Sequence, residues 1–269
     1  IFLPLAVSGI YMAVLILAGR QLLRLFLEER QMSAPIPFLQ RTSMCLVLGS
    51  ALWMVLVCLV SLTGHGGLML WRGLAAVMAL TAVVLEILWG RRNKQVLPGA
   101  WLKAVKNSAD KGRSESMTQA ALLAFIITMV LIQAGRMNIE LDYDSLHYGL
   151  RSAYVLDNGK GIYENLGMIN LVYTYSKGLE VLVLPLSGTP TYGFVLAFSL
   201  WCTVGILLLA ADIVGRYCGQ VKGILAAAIL AAIPGIMNMA ATAKSDNITL
   251  LHQLIIYDFI CFALWDGEQ

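Results

Sequence analysis

Long apolar runs are the feature that most limits what this chain can fold into. Of its 269 residues, 59% are hydrophobic and 13% are charged, whereas an ordinary soluble domain has about 25% charged residues. A soluble fold of this length could not bury so much apolar surface, and a lipid bilayer removes the need to do so. The composition therefore indicates a polytopic membrane protein.

Seven apolar stretches are long enough, or nearly so, to cross a bilayer, for which a helix needs about 20 residues. They are residues 1–19, 43–63, 67–90, 118–135, 191–214, 222–239 and 247–265. Because backbone groups in lipid must form hydrogen bonds within their own segment, we expect all seven to be helices. Pro234 and Gly235 should bend the sixth span near its end. An eighth apolar stretch, 178–187, is too short to span.

The distribution of Lys and Arg predicts how these spans are oriented. Most of the basic residues lie in three connections, residues 20–42, 91–117 and 215–221. If the spans alternate strictly, all three lie on one side, which the positive-inside rule assigns to the cytoplasm. The 136–190 and 240–246 connections then lie outside. We expect a multi-pass protein of the cell membrane (plasma or inner membrane), with a long outer loop whose short helices lie parallel to the membrane surface.

The predicted outer loop begins with a concentration of polar residues, ELDYDSLHYGLR, at positions 140–151. Asp142 and Asp144 stand one residue apart just after the fourth span, so both can point into one pocket if the chain is irregular there. On a helix their side chains would diverge by about 200°. Each also has a structural alternative, Asp144 as the N-cap of a short surface helix and Asp142 as a solvated loop carboxylate.

Two more charged pairs lie on the same predicted face. Lys177 and Glu180 have the spacing of a helical ion pair, and the alternative is a surface-parallel helix with a lysine that extends to the interface. Lys244 and Asp246 stand where the seventh span begins. Charges at such a position are either interfacial anchors or the lining of a cavity.

These residues resemble motifs of the GT-C class of membrane glycosyltransferases, especially its protein O-mannosyltransferase and aminoarabinose transferase branch. Those enzymes carry an acidic motif directly after a span, in the first outer loop, that runs roughly Asp-Glu-x-His-Phe-Gly or Asp-Glu-x-x-Tyr. The segment DSLHYG, residues 144–149, is similar, although Ser145 replaces the second acidic residue. The segment YSKGL, residues 175–179, takes the place of a Lys-Pro-Pro-Leu or His-Pro-Pro-Leu motif without its prolines. Asp246 resembles an aspartate at the outer mouth of a later span.

The resemblance, which covers about 118–265, implies a GT-C-like fold and an enzyme that acts on the outer face. Residues 118–269 would form the catalytic core, and residues 1–117 would be an N-terminal three-span region with basic cytoplasmic loops and no counterpart in that class. The enzyme would move a sugar from a polyprenyl-phosphate carrier to a glycan, lipid or protein acceptor. Because the chain stops just after an apolar run, we expect further spans after Gln269 in a longer protein.

That mechanism assigns roles to particular residues. An aspartate must accept the proton of the attacking hydroxyl group, and we expect Asp144 to be this base with Asp142 as support or as a metal ligand. Cations must stabilise the departing phosphate, and Lys177, Lys244 and Arg151 are available. The residues predicted to bind the substrate are His147, Tyr148, Arg151, Tyr175, Lys177, Lys244 and Asp246. His147 has the alternative of simply lying at the interface.

Some GT-C enzymes bind a divalent cation, so a divalent metal ion is a candidate cofactor. The Asp-x-Asp pair of Asp142 and Asp144 could contribute to binding it, but two carboxylates alone do not make a site, so we assign no metal site. The sugar-carrying polyprenyl phosphate and membrane lipid are the expected partners, and no nucleic acid is expected.

Two other classes of function stay open. A lipid or solute transporter, or a flippase, needs polar residues deep in its spans and often broken helices in paired halves. Glu86 and Asp212 lie towards predicted cytoplasmic ends, and Asp258 is the most interior charge. A non-catalytic subunit of surface-glycan assembly would tolerate the loss of Asp144. The clustering of polar residues in the outer loop favours chemistry at the membrane surface over passage through it.

Overall fold

A computed structural model describes residues 1–26, 36–92, 117–137, 139, 143–145, 149–150, 159–163, 178–188, 191–262 and 264. Within these ranges the chain is helical and contains no strand, which confirms the predicted all-α class. The helices are α1 (Phe2–Phe26), α2 (Phe38–Ser61), α3 (Leu68–Arg92), α4 (Met117–Arg136), α5 (Gly178–Leu182), α6 (Gly193–Cys218), α7 (Gln220–Ala232), α8 (Pro234–Met239) and α9 (Asp246–Cys261). A short 3₁₀ helix, Leu184–Leu186, follows α5.

Five helices are long and apolar enough to cross a membrane, and they correspond to the first five predicted spans. Their apolar parts are Phe2–Leu25, Phe38–Ser61, Leu68–Gly90, Met117–Arg136 and Gly193–Cys218. The sixth and seventh predicted spans correspond to shorter helices, since α7 has 13 residues and α9 has 16. At 1.5 Å per residue, 13 residues cover about 20 Å of a hydrocarbon core of about 30 Å. The count of seven spans therefore stays a prediction.

The predicted bend at Pro234 is confirmed as a break between two helices. Helix α7 ends at Ala232, and α8 begins at Pro234, with Ile233 between them in extended backbone (φ −77°, ψ 113°). The ring of a proline disfavours helical backbone in the residue before it, which explains the conformation of Ile233. Proline itself is well suited to the first turn of the new helix.

Glycines set the closest helix–helix approaches. A Cβ atom on Gly19 of α1 would lie 1.8 Å from the carbonyl oxygen of Cys45, and one on Gly49 of α2 would lie 1.8 Å from that of Leu15. In membranes, small residues at an interface let two helix backbones pack directly against each other. The α1–α2 pair is built on this reciprocal contact.

Contacts at the helix ends define two faces of the bundle. On the basic face, the ends of α1 and α3 meet through Arg24 and Glu86, whose atoms Nη1 and Oε2 are 2.7 Å apart. The start of α2 meets the end of α9 there, since Gln40 Nε2 donates a hydrogen bond of 3.2 Å to the Asp258 carbonyl oxygen. On the opposite face, called the loop face, lie residues 62–67 and 240–245. This arrangement agrees with the alternation of spans assumed for the orientation.

The segment 178–188 does not form a long helix and is buried among the other helices, and its predicted place along the membrane surface stays a prediction. Leu182 and Leu184 are fully buried, and the charged Glu180 is 8% exposed. The segment can lie there because side chains of the long helices satisfy its carbonyl groups. Backbone that is not part of a regular membrane-spanning helix is tolerated at membrane depth only where protein surrounds it.

Three side chains supply those hydrogen bonds, one from each of the first three helices. Tyr11 Oη donates to the Leu182 carbonyl at 2.8 Å, and Trp53 Nε1 donates to that of Val181 at 2.9 Å. Arg72 donates to the carbonyl groups of Pro185 and Ser187, at 3.2 and 3.1 Å. The segment thus ties the three-span region to the part of the chain beyond residue 118.

The same two regions also meet elsewhere. Trp201 Nε1 of α6 donates to the Leu5 carbonyl at 3.0 Å. On the loop face, Ile162 N–H donates to Ser61 Oγ at 3.2 Å. Residues 1–92 therefore contribute to the core that holds the loop face, instead of standing apart from it.

Candidate functional site

The loop face brings Asp144 and Lys244 into contact. Asp144 Oδ2 lies 3.0 Å from Lys244 Nζ, and the two side chains are 43% and 15% exposed, respectively. The carboxylate comes from the segment after α4, and the ammonium group comes from the turn before α9. Two of the predicted site residues, far apart in sequence, thus form one charged pair at the loop face.

Two contacts next to this pair hold the two segments together. The Ala243 N–H group donates to Ser145 Oγ at 2.9 Å, and Ser145 is fully buried. A Cβ atom on Gly149 would lie 2.2 Å from the Ala243 carbonyl oxygen, so only glycine permits this approach. Both neighbours of Ala243 in this packing are therefore residues of the DSLHYG segment.

The turn that carries Lys244 is itself firmly packed. Residues 240–243 are buried, and Thr242 Oγ1 donates to the Met239 carbonyl at 2.9 Å. On the other side of Lys244, the buried Asn247 side chain donates to Thr203 Oγ1 at 2.7 Å and to the Ile236 carbonyl at 3.2 Å. Anchoring on both sides fixes the backbone from which the Lys244 side chain extends.

Asp246, also predicted as a site residue, begins α9 and is exposed. A carboxylate in the first turn of a helix interacts favourably with the free N–H groups and the helix dipole. This structural role explains why an acidic residue stands at position 246. Asp246 follows Lys244 by two residues and therefore also lies on the loop face. The remaining predicted site residues lie outside the described residues: Asp142, His147, Tyr148, Arg151, Tyr175 and Lys177.

Ser145 and Arg136 are two loop-face residues whose importance the sequence did not reveal. Ser145 stands in the motif where the resemblance expected a second acid, and it serves to anchor the neighbouring turn. Arg136 is an exposed cation at the end of α4 that donates to Gln133 Oε1 at 2.8 Å and Asn238 Oδ1 at 3.2 Å. An arginine directly after an apolar run was the available signal.

The described residues do not by themselves form a site for a divalent metal ion, and Asp142, the other member of the Asp-x-Asp pair, lies outside them. Among them, no group of three or more His, Cys, Asp or Glu side chains lies close enough to hold a metal. The Asp144 carboxylate has the Lys244 ammonium group as a partner. A hard cation such as Mg²⁺ or Ca²⁺ needs several oxygen ligands, and a lysine would repel it.

A second group of charges lies on the basic face, away from this pair. Arg216 of α6 contacts Asp258 of α9, and Asp258 is 1% exposed. The Arg216 Nε atom also lies 3.1 Å from Asp212 Oδ2. Buried charges are retained in a membrane where they are paired or serve a pathway. Asp258, the most interior predicted charge, is thus one of a set of three.

Comparisons with protein-family models, with curated proteins and with solved structures gave no match to this chain. The argument for its function therefore depends on the chemistry of its own residues.

Proposed function

We propose that this chain is an integral-membrane glycosyltransferase that moves a sugar from a polyprenyl-phosphate carrier to an acceptor on the outer face of the membrane. The observation that carries the proposal is the contact between Asp144 and Lys244. A base and a cation within one contact distance match the two needs of the transfer, which are removal of a proton and stabilisation of a departing phosphate.

The reaction assigns each partner of the pair one step. The acceptor hydroxyl oxygen attacks the anomeric carbon of the donor, and Asp144 takes its proton. The bond between the anomeric carbon and the phosphate oxygen breaks, and the electron pair leaves on the phosphate. Lys244 faces the negative charge that develops there. Attack from the side opposite the phosphate inverts the configuration of the sugar.

The ion pair also gives the donor a way to activate the base. With no donor bound, Lys244 neutralises Asp144. The phosphate of an arriving donor competes for the lysine ammonium group and leaves the carboxylate, which is 43% exposed at its side chain, accessible to the acceptor hydroxyl. A polyprenyl chain in the bilayer holds the donor phosphate at the membrane surface, which is where the sequence predicts the loop face to lie.

Labelled-sugar transfer in membranes tests the proposal. Membranes containing the chain are supplied with a panel of polyprenyl-phosphate hexoses and pentoses, and transfer is compared between the wild type and Asp144→Asn at matched folded amounts. General-base catalysis contributes about 10²–10⁴-fold, so a loss of at least about 100-fold is expected. Asp212→Asn is the matched control on the basic face and should retain transfer. Equal transfer by wild type and Asp144→Asn would remove Asp144 from the chemistry.

A transporter or flippase is the second candidate, and the pairing of Arg216 with Asp212 and with the buried Asp258 is the observation that favours it. Reconstitution in vesicles distinguishes the two functions. Movement of a fluorescent lipid or solute that requires Asp258 and does not require Asp144 would favour transport. The glycosyltransferase proposal expects sugar transfer that requires Asp144 and does not require Asp258.

A further inference from the structure

An open apolar groove with a volume of about 300 Å³ lies between α1, α2 and α3. Its walls include the exposed side chains of Leu25, Val77 and Leu85, and it follows α3 from Leu74 to Leu85. At 1.5 Å per residue this length is about 16 Å, or half of the hydrocarbon core. The groove therefore has the shape and the lining to hold part of one extended lipid chain.

One end of the groove reaches a group of charges on the basic face. Gln21 lines the groove and donates from Nε2 to Glu86 Oε2 at 2.9 Å. Two arginines share the same carboxylate, since Arg24 Nη1 lies 2.7 Å from Glu86 Oε2 and Arg20 Nη1 lies 3.1 Å from Glu86 Oε1. Two guanidinium groups and one carboxylate leave one positive charge in excess at this end.

The two arginines also have hydrogen-bonding capacity to spare. The Arg24 side chain is 5% exposed, and its buried Nε has no hydrogen-bond partner among the described residues. Arg20 Nε is in the same state, while the Arg20 side chain as a whole is 36% exposed. A buried donor without a partner costs free energy, and an acceptor that enters the site removes this cost. Phosphate oxygens, like carboxylate oxygens, accept strong charge-assisted hydrogen bonds from a guanidinium group.

We propose that this groove binds an anionic phospholipid from the leaflet on the basic face. One acyl chain lies between α1, α2 and α3, and the phosphate lies against Arg20 and Arg24. The apolar walls hold the chain, and the excess positive charge selects an anionic headgroup over a zwitterionic one. This site is separate from the Asp144–Lys244 pair and does not depend on the proposed transfer reaction.

Native mass spectrometry of the purified chain tests the proposal. The protein is released from bilayers that contain equal amounts of phosphatidylglycerol and phosphatidylcholine with identical acyl chains, and the lipid that stays bound is counted. Thr81→Trp narrows the groove from an exposed position in its wall, and Val84→Trp places the same side chain at an exposed position of α3 outside the groove. Arg20→Gln removes one headgroup contact, and Arg20→Lys keeps the charge.

The expected result is that wild type and Val84→Trp retain phosphatidylglycerol in preference, and that Thr81→Trp retains much less of either lipid. Arg20→Gln should lower the ratio of phosphatidylglycerol to phosphatidylcholine about fivefold, the effect of one basic residue near an anionic surface. Arg20→Lys should preserve most of that ratio.

A wild-type ratio near one would overturn the choice of an anionic headgroup. If Thr81→Trp retains as much lipid as the wild type, the groove is not the lipid site. The same result is expected if another segment of the chain fills the groove. The same elution volume and thermal transition for all four variants would show that these comparisons are made on folded protein.

Discussion

Replacing Gly49 with alanine should destabilise the bundle by about 1–3 kcal/mol more than the same replacement at Gly73. A Cβ atom at Gly49 would lie 1.8 Å from the Leu15 carbonyl oxygen, whereas ordinary contact begins at 3.4 Å, so the backbones of α1 and α2 must move apart. Overpacking of a well-packed interface typically costs this amount, since backbone cannot give way as the end of a flexible side chain does.

Gly73 is the matched control for this change. It lies within α3 on the exposed side, and a Cβ atom there would meet nothing within 4 Å. Both substitutions gain about the same helix propensity, roughly 1 kcal/mol, so this contribution cancels in the comparison. Unfolding of the purified variants in mixed micelles, as a function of the fraction of denaturing detergent, gives the two free energies. A difference below about 0.5 kcal/mol would refute the direct backbone contact between α1 and α2.

Two further changes test the other buried contacts. Arg216→Met should lower the free energy of unfolding by about 3–5 kcal/mol, because it removes the arginine that pairs with the buried Asp258. Asp212→Asn should lower it much less, because Asp258 keeps Arg216 as its partner. Equal losses for the two variants in the micelle unfolding assay would contradict this account. Trp53→Phe should lower the free energy of unfolding by about 1–3 kcal/mol, because it removes the indole donor from a buried carbonyl group of the 178–188 segment. It should also speed amide hydrogen exchange in that segment. Unchanged exchange would show that the indole does not hold the segment.

The sequence was sufficient to locate the long helices, because an unbroken apolar run of membrane length has few other solutions. It placed the end of α1 too early. The first span was predicted to stop at residue 19, yet α1 continues to Phe26. Hydropathy ends a span at its first charge, and it does not show that Arg20 and Arg24 share a carboxylate on another helix. Pairing of this kind depends on tertiary structure.

The same limitation explains why the sequence did not show that residues 178–188 are buried. Their length excludes a full crossing, and the sequence left an ion pair and a surface-parallel helix open as alternatives. Whether such a stretch is buried depends on donors from distant helices, here Tyr11, Trp53 and Arg72. None of these three residues is recognisable in the sequence as a partner of this segment.

For the candidate site, position in the sequence identified individual residues but not their arrangement. Asp144 and Lys244 were selected because each stands at the end of a span on the same predicted face. Their contact requires the turn before α9 to fold over the segment after α4, which depends on Ser145 and on the close approach at Gly149. In the sequence, Ser145 looked like a departure from an acidic motif, and Gly149 matched the last position of that motif without showing which backbone it would meet.

The most direct test of the proposed function is sugar transfer by the charge-swapped variant, Asp144→Lys with Lys244→Asp. The swap keeps an ion pair at the loop face, so a purely structural pair would work in either direction. If Asp144 is the base, transfer should stay at least about 100-fold below that of the wild type although the variant is as stable as the wild type. Recovery of transfer to near the wild-type rate would contradict the account, because it would show that the pair holds two segments together and takes no part in the chemistry.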